Sequence, residues 1–150
     1  MKIVVLDGYV LNPGDLSWNE FSKIGDVKVY DRTLANEVID RIGDAEVIYT
    51  NKTVINDAVI NACPNLKFIG VLATGYNVVD IIAASKKNIV VTNIPNYGTN
   101  SVAQFTFGLI LEICHKIGLH NNSVKKGEWT NNLDFSYCLT PQVELYGKTL

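Results

Sequence analysis

What this sequence lacks first is charge of one sign. Thirteen Lys plus Arg face fifteen Asp plus Glu, a formal net charge of −2. Binding nucleic acid or an anionic membrane needs a basic excess or stripe, and the pairs Lys86–Lys87 and Lys125–Lys126 are too short to supply one. Cysteine is scarce too. Cys63, Cys114 and Cys138 are odd in number and widely spaced, which suggests neither a disulfide framework nor a zinc site. Free thiols in a reducing cytoplasm are expected. Long apolar runs are absent: the stretch from Val102 to Ile117 is broken by Gln104, Thr106, Glu112, His115 and Lys116, whereas a bilayer span wants about 20 mostly apolar residues. Ile3-Val4-Val5-Leu6 meets Asp7 at once and is too short for the core of an export signal. A soluble protein with no membrane contact is expected. Also absent are G-x-G-x-x-G after a strand, G-x-x-x-x-G-K-[ST], H-E-x-x-H and G-x-S-x-G. Taken alone, the chain holds no complete catalytic constellation.

What is present is the material of a core. Of 150 residues 47% are hydrophobic and only 19% charged, which excludes a disordered tail at the size of one ordinary domain. Lys2–Leu6 is a β-branched run ended by Asp7-Gly8, and Val27–Tyr30, Glu46–Tyr49, Phe68–Leu72 and Ile89–Thr92 repeat its character. Such runs read as strands buried on both faces. Between them lie helical spacings: Leu16, Phe21 and Ile24; Leu34, Val38, Ile39 and Ile42; Val54, Ile55, Val59 and Ile60; and Val78 to Ala84. Strands alternating with helices predict an α/β fold, a flavodoxin-like or Rossmann-like doubly wound parallel sheet ending near Pro95. The strand order stays open.

Beyond Gly98 the pattern changes. Thr99 or Asn100 can cap a helix that runs from Ser101 to about Leu119, with apolar residues all round it. Such a helix must be buried on every side, so a second domain, a partner subunit or both are expected. The tail from Asn121 is polar and rich in turns. It ends on Tyr146-Gly147-Lys148-Thr149-Leu150, which reads as a turn leading into a new strand, as if the chain were the first part of a longer protein.

Two places could hold a ligand. Val71-Leu72-Ala73-Thr74-Gly75-Tyr76-Asn77 follows the fourth strand, and open parallel sheets bind ligands outside the carboxyl ends of their strands. Small residues there let backbone N–H groups approach an anion, and Asn77 with Asp80 suggests a helix start facing the loop. Gly75 could equally serve only a tight turn. Lys52 follows the third strand and could pair with a carboxylate or phosphate, or be merely solvated. His115, His120 and Cys114 have no partner at triad or metal spacing and read as structural.

The segments Leu66–Asp80, Ile89–Pro95, Thr99–Gln104, Ser123–Trp129 and Leu145–Leu150 resemble, in that order, the D-isomer-specific 2-hydroxyacid dehydrogenases. Thr50-Asn51-Lys52-Thr53 and Ser101-Val102-Ala103-Gln104 are closest to the glycerate dehydrogenase (hydroxypyruvate reductase) branch. The resemblance implies a substrate-binding domain over residues 1–98, then an interdomain and dimer helix and the start of a Rossmann NAD-binding domain over 99–150. It implies an NAD- or NADP-dependent oxidoreductase that reduces hydroxypyruvate- or glyoxylate-type 2-keto acids to D-2-hydroxy acids, working as a homodimer. The family's catalytic Arg, Glu and His come after its glycine fingerprint, so none is in this chain, which alone should be inactive and hold no cofactor tightly. Carried over by position, the amides of Ala73, Thr74 and Gly75 would hold the substrate carboxylate. Lys52 would stand where relatives often have Arg, and Thr74, Thr99 and Val102 would line the nicotinamide side. Gln104 departs from the Glu common in the wider family. Two other readings compete: a self-contained flavodoxin-like ligand-binding or interaction module, and a dehydrogenase-fold corepressor.

Overall fold

Each β-branched run forms a strand within a residue or so of its expected place. A computed structural model describes residues 1–149, which divide into two compact units meeting at Tyr97 and Gly98. The first unit runs β1 (Lys2–Val5), α1 (Gly8–Leu11), α2 (Asn19–Ser22), β2 (Asp26–Val29), α3 (Val38–Ile42), β3 (Val47–Thr50), α4 (Asp57–Ala62), β4 (Phe68–Val71), α5 (Ile81–Lys86) and β5 (Val90–Thr92). Every pairing is parallel, in the order β2-β1-β3-β4-β5. This is the flavodoxin-like order, and its direction reverses between β1 and β3.

Register makes the core. Val4 lies beside Ile48, and Ile48 beside Ile69. Val38 and Ile42 of α3, Val59 and Ile60 of α4 and Ala83 and Ala84 of α5 join this apolar row in one buried cluster. Burying each large aliphatic side chain contributes about 1.5–3 kcal/mol, so this face carries most of the stability. On the opposite face Ile3 and Val5 are fully buried. Phe21 of α2 meets Tyr49 edge-on at 5.0 Å, and Tyr49 meets Phe68 at 6.0 Å. Cover fades toward β5, where Val90 is 56% exposed. A Cβ on Gly70 would stand 2.4 Å from the Tyr49 ring, so glycine in mid-strand lets that ring lie across β4.

Two helices start later than their apolar spacing suggests. Ile55 forms a bridge with Val79, with Ile55 N–H donating to Val78 O and Asp80 N–H to Ile55 O. Extended backbone at both places delays α4 until after Asn56 and α5 until after Asp80, whose side chains accept from Val59 N and Ala83 N. The expected helix start at Asn77 is thereby corrected: the cap is Asp80, three residues later.

In the second unit the single helix expected over Ser101–Leu119 is two, α6 (Thr99–His115) and α7 (Ile117–Lys125), bent by 64°. Neither Thr99 nor Asn100 is the cap. Gly98 holds that position with no side-chain bond, and the Ser101 hydroxyl donates to Gly98 O. The break falls at Lys116, left-handed at φ 48° and ψ 50°. Its N–H donates to Glu112 O, while the Glu112 carboxylate accepts from Gly118 N at 3.0 Å and so caps the incoming turn of α7. No α6 residue is buried, and no single described helix is long and apolar enough to cross a membrane. Part of the tail folds back on α7: Ser123 is buried against Glu128 and Tyr137. Leu145 O accepts from Lys148 N in the expected turn, and the strand anticipated at Leu150 lies outside the described residues.

Gly70→Ala should lower stability by about 1–3 kcal/mol, the usual cost of overpacking, because a ring rather than a flexible chain end must move. A urea midpoint unchanged from wild type would show that Tyr49 has room to turn aside.

Candidate functional site

A parallel sheet delivers all its strand ends to one edge, and the register decides which loops become neighbours there. Thr50 pairs with Val71, and Leu72 N–H donates to Thr50 O at 2.8 Å. The loop after β3, carrying Lys52, therefore lies beside the loop after β4, carrying Ala73, Thr74 and Gly75. The segment after β5 braces the second loop from its other side. Ile94 N–H donates to Ala73 O at 3.0 Å, the Asn93 side-chain amide to Thr74 O at 2.8 Å, and the Thr74 hydroxyl to Ile94 O at 3.0 Å.

These braces use carbonyls and leave amides. Among the described residues, none of the N–H groups of Ala73, Thr74 and Gly75 donates to a protein acceptor. Gly75 has an ordinary backbone angle rather than a left-handed one, and a Cβ there would meet only Asn77 Oδ1, at 3.3 Å. Turn geometry therefore does not require this glycine; its bare face leaves the neighbouring amides approachable. Thr74 and Gly75 are exposed. Ala73 is buried, at 6% exposure; backbone N–H groups together with an ammonium are the donors that can hold a small carboxylate.

The β3 loop is built around a carboxylate of its own. Asp7, just past β1 and 7% exposed, accepts from Asn51 N at 2.8 Å, Lys52 N at 2.6 Å and Thr53 N at 3.0 Å. The Thr50 hydroxyl donates to Thr53 O at 3.1 Å, with Asp7 Oδ2 3.4 Å away. Leaving such buried N–H groups without an acceptor would cost about 1–3 kcal/mol apiece. The sequence alone offered Asp7 only as a strand terminator, and Asn93 only as part of a longer match. The only sequence signal for Asp7 was a carboxylate directly after a strand; that it stands at the sheet's reversal point is known from the strand order alone.

Thr99 and Val102 share the first turn of α6, and Val102 is 65% exposed. His120 is structural, as expected: its Nε2 accepts from Leu139 N at 3.2 Å, with Nδ1 3.0 Å from Lys116 O. His115 Nδ1 lies 3.3 Å from Gln142 Oε1. No three His, Cys, Asp or Glu side chains among the described residues could hold a metal. A hollow of about 570 Å3 runs along β5 and α5 and shares Tyr76 and Asn93 with this region; it is lined by no charged side chain. It offers no cation to an anionic ligand, so the loops rather than this hollow are the candidate site.

The catalytic-domain model of D-isomer specific 2-hydroxyacid dehydrogenases matches residues 3–144. The chain belongs to that family. It is 55% identical to the hydroxypyruvate reductase of Blautia hydrogenotrophica over 153 residues, covering all of this chain and 48% of the relative. With the glycerate dehydrogenase of Methylorubrum extorquens it is 35% identical, over 99% of this chain and 47% of that one. Among solved structures, an acyclic imino acid reductase in complex with NADPH and D-Arg superposes with a TM-score of 0.72 at 26% identity, over 92% of this chain and 45% of that one. The chain thus spans about half the length of the curated relatives it matches.

All three cysteines are free. Cys63 is 2% exposed and burial pushes its thiol above the usual range, whereas Cys138 is exposed. Iodoacetamide should therefore modify Cys138 readily and Cys63 only on unfolding. Peptide mass mapping that found Cys63 modified first would mean that the α4–β4 side of the core opens.

Proposed function

We propose that residues 1–98 form the substrate-binding domain of an NAD- or NADP-dependent 2-hydroxyacid dehydrogenase that reduces hydroxypyruvate- or glyoxylate-type 2-keto acids to D-2-hydroxy acids such as D-glycerate. The observation that carries this reading is the loop at 73–75, whose carbonyls are spent on its brace and whose amides are not. In that role the amides of Ala73, Thr74 and Gly75 hold the substrate carboxylate and orient the adjoining carbonyl carbon. Lys52 neutralises the anion from the neighbouring loop. The 55% identity to a hydroxypyruvate reductase supports this substrate class.

The cofactor fits this chain only in part. The family resemblance assigns Thr74 of the first unit and Thr99 and Val102 of the second to the nicotinamide side, but no glycine fingerprint is present to cradle a pyrophosphate. When bound, the dinucleotide supplies the hydride. In this reading Lys52 is engaged with the substrate anion and Asp7 with the amides of residues 51–53, and the proton donor is a residue of the natural protein outside residues 1–150. Residues 99–150 would then be the interdomain and dimer helix and the beginning of the cofactor domain, and the three free thiols suit a cytoplasmic enzyme. The exposed Phe105, Phe107 and Ile113 of α6 favour a second copy as the homodimer partner. Light scattering should find the natural protein dimeric, and Phe105→Asp should shift it toward monomer; a wild-type monomer would remove the dimer from this reading.

In the natural protein assayed with NADH, Gly75→Val should raise the KM for hydroxypyruvate more than about tenfold by blocking approach to the amides. Lys52→Ala should raise it by about fivefold, the scale of a partly solvated ion pair. Equal KM values in wild type and Gly75→Val would take the loop out of the site.

A further inference from the structure

Open α/β sheets take their ligands where the strand order reverses, which in this sheet is between β1 and β3. Here the protein's own carboxylate fills that place. Three successive amides, those of Asn51, Lys52 and Thr53, converge on Asp7 as such amides converge on a bound anion. Of the four residues after Tyr49, Thr50, Asn51 and Thr53 are buried, with 0%, 8% and 8% exposure, and Lys52 alone faces outward. The shortest of the Asp7 bonds, 2.6 Å, is to the Lys52 amide itself.

We infer that Asp7 is a positioning residue for substrate binding: its carboxylate pins the 50–53 loop so that the Lys52 ammonium is presented to the anion held at 73–75. The inference rests on the proposed role of Lys52 and deepens it. Two physical consequences follow from the geometry. The amides of the β3 loop are spent on Asp7, so that loop can offer a substrate only the Lys52 side chain. The Asp7 charge also repels a second anion from the reversal point, which leaves the neighbouring β4 loop as the place where a substrate carboxylate can settle. Lys52 has a long, flexible stem. Anchoring its backbone removes the backbone's share of the freedom that binding would otherwise have to freeze.

The test is a double-mutant cycle in the natural protein, reading KM for hydroxypyruvate, KM for NADH and kcat, with folding followed by circular dichroism. Asp7→Asn keeps the shape but replaces one acceptor oxygen with a donor that opposes the amides. It should raise the hydroxypyruvate KM by about fivefold, close to the effect of Lys52→Ala, with little change in KM for NADH. In the Lys52→Ala background it should add less than about twofold, because the side chain it positions is gone. Thr50→Val provides a milder variant should Asp7→Asn fail to fold; it removes the hydroxyl bonded to Thr53 O and should raise the same KM less, again only while Lys52 is present. A folded Asp7→Asn enzyme with unchanged KM, or effects of Asp7→Asn and Lys52→Ala that multiply fully, would overturn the inference. So would a fall in melting temperature alone, which a purely structural Asp7 would produce. If Lys52→Ala itself left KM unchanged, the reading of Lys52 beneath it would fail, and the inference with it.

Discussion

Everything at the candidate site depends on the parallel register of β1, β3, β4 and β5. A parallel sheet brings its carboxyl ends to one edge, and here Thr50 beside Val71, with Gly70 beside Thr92, aligns three successive loops. Asp7 reaches the backbone of Lys52 and Asn93 that of Thr74 although the chain separates each pair widely. Val4, Ile48 and Ile69 hold the register as one row of the buried cluster, since a slip of one residue would carry each of them to the other face of the sheet.

On that frame, hydrogen bonding divides the edge into a closed part and an open part. Around Asp7 every amide of the β3 loop from Asn51 to Thr53 has an acceptor, and the region is a finished polar core. One strand further on, Asn93 and Ile94 take up the carbonyls of Ala73 and Thr74 without supplying acceptors for the loop's amides. The same backbone chemistry thus makes a rigid support in one loop and, in the next, a brace that takes carbonyls and leaves the amides of Ala73, Thr74 and Gly75 without a protein acceptor.

The second unit follows a different logic. Glu112 both continues α6 and, through its carboxylate, caps the turn of α7 beyond Lys116, so one side chain fixes where the helix ends and the next begins. The tail is fastened to α7 through Ser123 and through His120, which takes the Leu139 amide. The tail also reaches α6, where Val143 N–H donates to Cys114 O, yet none of the apolar residues of α6 is buried. Their cost in water is the physical reason to expect a partner surface.

By itself, the sequence determined what is local and repetitive. Five β-branched runs marked five strands, although only β1, β3 and β4 are largely buried and the edge strands β2 and β5 are not; helical spacings between them dictated an α/β alternation. The wider order of motifs determined the family. Tertiary structure decided what depends on residues far apart. The bridge between Ile55 and Val79 set where α4 and α5 begin, against their own apolar spacing, and the left-handed Lys116 divided a helix that looked continuous. Asp7 was the least legible residue, because the amides it serves lie 44 to 46 positions away. A carboxylate's partners are chosen by the fold, and one aspartate after a strand reads the same whether it caps a turn or anchors a site.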